Sequence, residues 1–287
     1  MKIWMNGKLV DRGAAHVSVF DHGLLYGDGV FEGIRAYGGK VFQCAAHIER
    51  LYDSARHIRL AIPYTKQEMI DAIYETLHAN NVADGYVRLV VTRGEGNLGL
   101  SPFRCHEPTT FIIADQIALY PKEMYDEGMA VIIAKTVRVS PTMVPSAAKT
   151  LNYLNNILAK IEAVDAGVAE AVMLNTAGNV SECTGDNIFL VRDGELVTSP
   201  LSASVLPGIT RGIVLRLARE NGVPVRERDV TPRELYEAQE CFLTGTAAEV
   251  IAVTKIDDRQ IGDGRVGPVT QKLFAAFRQY IKSGKWD

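Results

Sequence analysis

The sequence predicts an α+β protein, and three observations carry that prediction. Strand-like and helix-like periodicities alternate along 287 residues. Several neighbouring strands are joined by turns too short to hold a crossover helix, which argues for α+β or a mixed barrel rather than a doubly wound parallel sheet. The composition, 47% hydrophobic and 23% charged, is ordinary for a globular chain, and the length suffices for two packed domains or one large one.

MKIWMNGKLV reads as a hairpin turning on Asn6-Gly7, and VFEGIRAYGGKVFQC as a second turning on Gly38-Gly39. From His47 to Arg59 the apolar residues Ile48, Leu51, Ala55 and Ile58 recur at helical spacing. Lys66 to Asn80 follows as an amphipathic helix with Thr65 as its N-cap. YVRLVVTR (Tyr86 to Arg93) and TTFIIA (Thr109 to Ala114) are strands. Ile117 to Glu127, with Pro121 and several charges, is the domain-boundary candidate, and MAVIIAKTVRV opens the second half as a strand. A helix is expected over Leu151 to Ala166, with Leu151, Leu154, Ile157 and Leu158 in the core. After it come a hairpin over AEAVMLNTAGNVSECTGDNIFLVRDGELVTS and a helix from Ile209 to Asn221. A Pro-capped helix near Pro232 to Ala238, a strand ECFLTGT and a C-terminal amphipathic helix complete the chain.

A net charge of −3 argues against nucleic-acid and anionic-membrane partners. The N-terminus lacks the apolar core of a signal peptide, and no apolar run approaches the ~20 residues of a membrane helix. Cys44, Cys105, Cys183 and Cys241 form no CxxC pair and have no histidine at ligand spacing, so the expectation is reduced thiols, no metal and a cytoplasmic location.

Five stretches could carry chemistry. In SAAKTLNYLNN, Lys149 has no other charge within three positions; it is either a snorkelling surface lysine or a buried amine able to attack a carbonyl. SVLPGITRG places Gly208 before a helix whose first turn offers free amides and the Thr210 hydroxyl, either an ordinary helix start or a phosphate cradle. LTGTAAEV puts small and hydroxylated residues directly after a strand, either a strand end with a helix cap or a place where the backbone lets a ligand come close. In NVSECTGDNIF, Glu182 stands among small and apolar residues, as an exposed turn glutamate or as a buried acid that needs a partner. YGDGVFEGIRAY alternates glycines with aromatics, as a bulged edge strand or as a wall with room for a ligand. A reactive lysine, a phosphate cradle and an isolated acid are together the parts that hold pyridoxal phosphate.

With those residues in order, the chain resembles the branched-chain aminotransferases, fold-type IV pyridoxal-phosphate enzymes. YGDGVFEG, HIERLYDSA, YVRLVVTRG, AAKTLNYL, SECTGDNIF, LPGITR and LTGTAAE occur in the family's order across almost the whole chain. The resemblance implies a smaller N-terminal sandwich-like domain (1–116), an interdomain loop (117–127) and a larger C-terminal pseudo-barrel domain carrying the lysine (128–287). It implies pyridoxal 5'-phosphate as a Schiff base on Lys149, which also shuttles the proton. Arg50, Ile209, Thr210 and Thr246 would hold the phosphate, Tyr153 the phenolic oxygen and Glu182 the pyridine nitrogen, with Leu206 on the ring face. Tyr153 is expected one helical turn past Lys149, on the same side. Phe31, Gly33, Tyr86, Arg88, Thr246 and Ala247 match substrate positions, and Tyr26 would reach in from a partner subunit of a homodimer or higher oligomer. Tyr86 and Arg88 share a strand face, which suits a pocket that takes either an apolar side chain or the distal carboxylate of 2-oxoglutarate, and Arg35 stands two residues past Gly33. The implied activity is amino transfer between L-leucine, L-isoleucine or L-valine and 2-oxoglutarate. A D-amino acid transaminase or aminodeoxychorismate lyase of the same fold, and a non-catalytic binding protein, are the alternatives.

Overall fold

The computed structural model describes every residue except Ala118, Leu119 and Asp287. The chain forms two compact units. Met1–Ile117 forms the first, together with Ala148–Asn152 and the C-terminal residues from Gly284; Tyr153–Ser283 and the stretch ending at Ala147 form the second. Ala118 and Leu119, part of the expected interdomain loop, lie outside the described residues.

The first unit is built on strands β1 (Lys2–Met5), β2 (Lys8–Asp11), β3 (Gly29–Tyr37), β4 (Lys40–Val41), β5 (Gly85–Thr92) and β6 (Thr110–Asp115). They form one antiparallel sheet in the order β2-β1-β6-β5-β3-β4. Both expected hairpins are present, and Asn6 and Gly7 adopt the positive φ angles (46° and 91°) that a tight two-residue turn requires. Helix α1 (His22–Tyr26) is short; α2 (Cys44–His57) and α3 (Lys66–Ala79) are the two expected amphipathic helices. Thr65 caps α3 in a reciprocal capping box with Glu68. Ile48, Leu51 and Ala55 of α2 and Met69, Ile73 and Leu77 of α3 pack on Val30, Ile34, Val87, Leu89 and Ile112 of the sheet. The result is a two-layer sandwich whose other sheet face is left for β3 and β5 side chains of the opposite parity.

The second unit contains α4 (Lys122–Glu127), β7 (Met129–Ile133), α5 (Leu154–Asp165), β8 (Glu170–Leu174), β9 (Val180–Cys183), β10 (Asn187–Arg192), β11 (Glu195–Thr198), α6 (Ile209–Glu220), β12 (Val225–Glu227), α7 (Pro232–Tyr236), β13 (Glu240–Gly245), β14 (Glu249–Ile256), β15 (Arg259–Gln260) and α8 (Pro268–Ser283). The strands form a mixed sheet ordered β12-β11-β10-β13-β14-β7-β8-β9, with β15 beside β14. The tight link from Cys183 to Asn187 returns β9 toward β10, so the sheet curls into a half-barrel.

Several expectations are corrected. Lys122–Glu127, placed in a loop, is helix α4. The strand expected over MAVIIAKTVRV stops at Ile133, and the expected single hairpin is two, β8–β9 and β10–β11. The helix expected from Leu151 begins at Leu154. Residues 149–151 stay out of the helix because their backbone is committed to β3: Thr150 bridges Val30, Phe31 N–H donates to Lys149 O at 3.1 Å, and Leu151 N–H donates to Gly29 O at 2.9 Å. The Lys149 segment therefore groups with the first unit, and Tyr153, the N-cap of α5, does not follow Lys149 along a helix. Leu154, Ile157 and Leu158 are not core residues; they are exposed, and α5 turns Asn156, Ala159 and Ala163 inward instead.

Ala159 is fully buried in a cluster with Ala134, Ala163, Ala171 and Met173. Ala159→Leu is expected to destabilise the protein by about 1–3 kcal/mol through overpacking, read as a lower urea midpoint. Thr65→Ala, which removes the α3 cap, is expected to cost about 1 kcal/mol in the same measurement.

Candidate active site

In the first unit the odd-numbered side chains of β3 leave the helix-covered face. Phe31 is the centre of this surface. The Lys149 Nζ lies 4.5 Å from its ring centroid, and the Arg88 guanidinium carbon lies 4.7 Å from the same centroid. Both cations face an aromatic quadrupole, which favours them without neutralising them. Arg88 pairs with Gly33 across β3 and β5 and also donates to the Tyr86 hydroxyl at 3.3 Å. A Cβ on Gly33 would come 1.7 Å from that hydroxyl, so the absence of a side chain is what admits Tyr86. The structure thus brings Lys149, Phe31, Gly33, Tyr86 and Arg88 together. Arg35 lies next along the strand against the Tyr37 ring at 5.3 Å. Tyr26 stands apart on α1, edge-on to His22, with its hydroxyl donating to Leu98 O at 2.6 Å.

The even-numbered face of β3 is apolar except at Glu32, which is 0% exposed. Arg50 of α2 grips this carboxylate through Nε and Nη2, both at 2.8 Å, and His47 Nδ1 lies 2.7 Å from Oε2. Burial pushes His47 down, so its ring is neutral and donates to Glu32. Burial also opposes ionisation of Glu32, but the Arg50 guanidinium, then His47, outweigh it and hold the carboxyl below the usual carboxylate range. One turn on, Ser54 Oγ accepts the Lys149 N–H at 3.0 Å.

In the second unit Glu182 lies on β9 and is 5% exposed, so it is the buried acid and not a turn glutamate. Arg138 Nη2 donates to Oε1 at 2.6 Å; Asn187 Nδ2 and the Leu206 N–H donate to Oε2 at 2.9 and 3.0 Å. Asn187 also donates to Leu206 O at 3.1 Å, tying Leu206 to the same acid. Arg138 is itself held by Asn156 at 2.7 Å. Two residues past Leu206, Gly208 leads into α6, where Ile209 and Thr210 form the first turn. A Cβ on Gly208 would come 2.0 Å from Asn187 Oδ1. The Thr210 hydroxyl is buried and has no hydrogen-bond partner among the described residues. Thr246 and Ala247 form the β13–β14 turn, directly beyond the Asn187–Thr244 pair. That turn ends at Glu249 with φ +59°, a strained conformation for a residue with a side chain. β14 itself was not anticipated, because LTGTAAEV reads equally as a strand end before a helix.

Sequence reasoning did not single out Glu32, His47, Ser54, Arg138 or Asn187. Glu32 left a signal, an acid in register with Val30 and Ile34. His47, Arg50 and Ser54 share one face of α2 at helical spacing. Arg138 left none, since its stretch reads as strand.

A family model described as amino-transferase class IV matches residues 29–256. A relative from Methanocaldococcus jannaschii is 52% identical over 278 residues, covering 97% of this chain and 96% of that protein. The branched-chain-amino-acid aminotransferase of Escherichia coli K12 is 38% identical over 281 residues, 96% of this chain and 91% of that one. Among solved structures, the branched-chain aminotransferase of Thermoproteus uzoniensis with norvaline superposes with a TM-score of 0.93 at 40% identity, covering 99% of this chain and 96% of that one. The branched-chain amino acid aminotransferase of Thermobaculum terrenum in its PLP form gives 0.90 at 31% identity, with 98% and 94% covered. The chain belongs to the class IV aminotransferases, the pyridoxal-phosphate-dependent transaminases of fold type IV, and its named relatives are of the branched-chain group.

The residues present fit that cofactor. An orphaned buried hydroxyl at a helix N-terminus suits a phosphate, a buried carboxylate surrounded by donors suits a ring N–H, and an amine on an aromatic wall suits a carbonyl.

Arg138→Met leaves Glu182 buried without its arginine. The apo-protein is expected to lose about 3 kcal/mol of unfolding free energy, and adding Glu182→Gln should recover at least half of that loss.

Proposed function

We propose that the protein transfers the amino group between L-branched-chain amino acids and 2-oxoglutarate, with Lys149 as the residue that carries pyridoxal 5'-phosphate. The observation that supports this best is the Phe31 ring flanked by Lys149 at 4.5 Å and Arg88 at 4.7 Å. An apolar side chain finds an aromatic surface there, and a distal carboxylate finds a guanidinium; one pocket can therefore take both substrates.

When bound, pyridoxal phosphate supplies an electron sink conjugated to the substrate Cα. Arg50, Ile209, Thr210 and Thr246 would hold its phosphate, Tyr153 its phenolic oxygen and Leu206 its ring face. Arg138, Asn187 and the Leu206 N–H all donate to the Glu182 carboxylate, so its oxygens are disposed to accept, and Glu182 would serve the ring nitrogen as the acceptor of an N–H bond. Lys149, rooted at its backbone and flexible along its side chain, takes the proton from the substrate Cα and returns it. Arg88 and Arg35 serve the distal carboxylate, and Thr246 and Ala247 the α-carboxylate. Phe31, Gly33 and Tyr86 shape the side-chain pocket.

We also read the chain as a homodimer or larger assembly in which Tyr26 serves a neighbour's site. Phe20, Leu24, Leu25, Leu98, Leu100 and Phe103 are exposed in the same unit as Tyr26; Phe20 O accepts from the Gly96 N–H and Leu98 O from the Tyr26 hydroxyl, which ties the 96–98 stretch to both. No helix among the described residues is long and apolar enough to cross a membrane. The four cysteines are thiols, three of them buried, which fits a reducing cytoplasm.

Adding L-leucine to holo-protein should shift the cofactor absorbance, and 2-oxoglutarate should reverse the shift. A preference for D-alanine or aminodeoxychorismate would overturn the assignment. Lys149→Ala should abolish turnover while keeping the thermal midpoint. Arg88→Gln should raise the KM for 2-oxoglutarate by about 10- to 100-fold, the worth of a charge-assisted hydrogen bond, and change that for L-leucine far less.

A further inference from the structure

Glu32 has no part in the function proposed above, yet its carboxylate stands fully buried in an apolar row. It is 0% exposed in a row with Val30 and Ile34, themselves 0% exposed, on the face that packs against α2 and α3. An ionised carboxylate there requires compensation, and replacing such a buried pair by apolar side chains is often neutral or stabilising. Stability alone therefore gives no reason for an acid at this position. Its contacts do. Both oxygens are engaged by Arg50, Nε on Oε1 and Nη2 on Oε2, each at 2.8 Å, and His47 Nδ1 adds a third bond at 2.7 Å.

We infer that Glu32 is a positioning residue for Arg50: its carboxylate, fixed in β3 and steadied by His47, sets the plane of the guanidinium, and it acts on the cofactor phosphate only through Arg50. The inference rests on the reading of Arg50 as a phosphate-binding residue. An unrestrained arginine head spreads over many rotamers, and a fork-on-fork grip along one edge removes that freedom before the ligand arrives. The grip uses the Nε/Nη2 edge, so the plane of the whole guanidinium is set by Glu32. Because His47 is neutral, the Glu32 charge is balanced by Arg50. Arg50 then contributes directed N–H groups more than net charge, and orientation becomes the quantity that matters. Glutamine at position 32 keeps the shape but puts an NH2 group where one acceptor stood, so it cannot hold both nitrogens.

The test is titration of apo-protein with pyridoxal 5'-phosphate and, separately, with pyridoxal, followed by the absorbance band of the lysine-bound form. The variants are Glu32→Gln, Arg50→Ala and the double variant. Glu32→Gln should weaken pyridoxal 5'-phosphate by at least about tenfold and pyridoxal by less than about twofold. In the Arg50→Ala background the same change should alter either affinity by less than about twofold, because the group through which Glu32 acts is gone. Equal losses for both ligands, additive losses in the double variant, or no loss in the single variant would each overturn the inference. If Arg50→Ala shows no phosphate-specific loss, the reading of Arg50 fails and the inference with it. If Arg50→Ala shows that loss and Glu32→Gln does not, only the inference about Glu32 fails. Should Glu32→Gln not fold, Glu32→Asp decides instead. It keeps the charge but withdraws the oxygens by one methylene, and it should show the same phosphate-specific loss, intermediate in size.

Discussion

The backbone pairing of the Lys149 segment with β3 is the constraint on which the rest of the site depends. Phe31 N–H and Leu151 N–H each donate across to the other segment, Val30 and Thr150 form an antiparallel bridge, and Ser54 accepts the Lys149 N–H. A Cβ on Gly29 would come 2.6 Å from Leu151 Cδ1 and 2.7 Å from Val91 O, so a glycine is needed for the approach. The lysine is thereby rooted at its backbone on both sides, while its long side chain remains flexible. The role proposed for Lys149, holding a group and carrying a proton between two points, would use that combination: a fixed origin and a mobile end.

β3 also separates two kinds of work through its two-residue period. On one face Phe31 and Gly33, with Tyr86 and Arg88 from β5, make the surface on which Lys149 and Arg88 rest. On the other, Val30, Ile34 and Ala36 belong to the core shared with α2 and α3, and Glu32 reaches the polar side of α2 through that core. A register slip by one residue would exchange these faces, burying Phe31 and Gly33 under the helices and moving Glu32 out. Eight consecutive pairs with β5 guard against such a slip.

Much of this was legible in the sequence, for identifiable reasons. The hairpins at Asn6-Gly7 and Gly38-Gly39, and the cap at Thr65, are decided by local chemistry, and a sequence shows local chemistry directly. The start of α5 is not decided locally. Leu151 to Ala166 is periodic, yet residues 149–151 are held by hydrogen bonds to β3, more than a hundred residues earlier. The inward face of α5 was misread for a related reason. Leu154, Ile157 and Leu158 form the more hydrophobic stripe, but the packed stripe is the small one, Ala159 and Ala163, because it lies close against Ala171 and Met173. Glu182 could be recognised as unusual from its apolar neighbours, but not as buried. Its burial depends on Arg138, Asn187 and Leu206, which no spacing rule connects.

Glu32 and Glu182 show the same physical solution in two unrelated settings. Each is a buried acid on a strand, and each receives one arginine together with neutral donors: His47 in the first case, Asn187 and a backbone N–H in the second. The arginine makes the charge tolerable, whereas the neutral donors fix the direction of the remaining lone pairs without adding charge. Such an arrangement contributes little to stability, since apolar side chains would fill the same volume at less cost. It contributes direction. A carboxylate surrounded by donors can do nothing but accept, and its own position is then set to within the length of a hydrogen bond. For Glu182 this means that a donor facing it meets oxygens whose direction the fold has already set. For Glu32 it means that the arginine on it has one plane available, decided by the fold before any ligand binds.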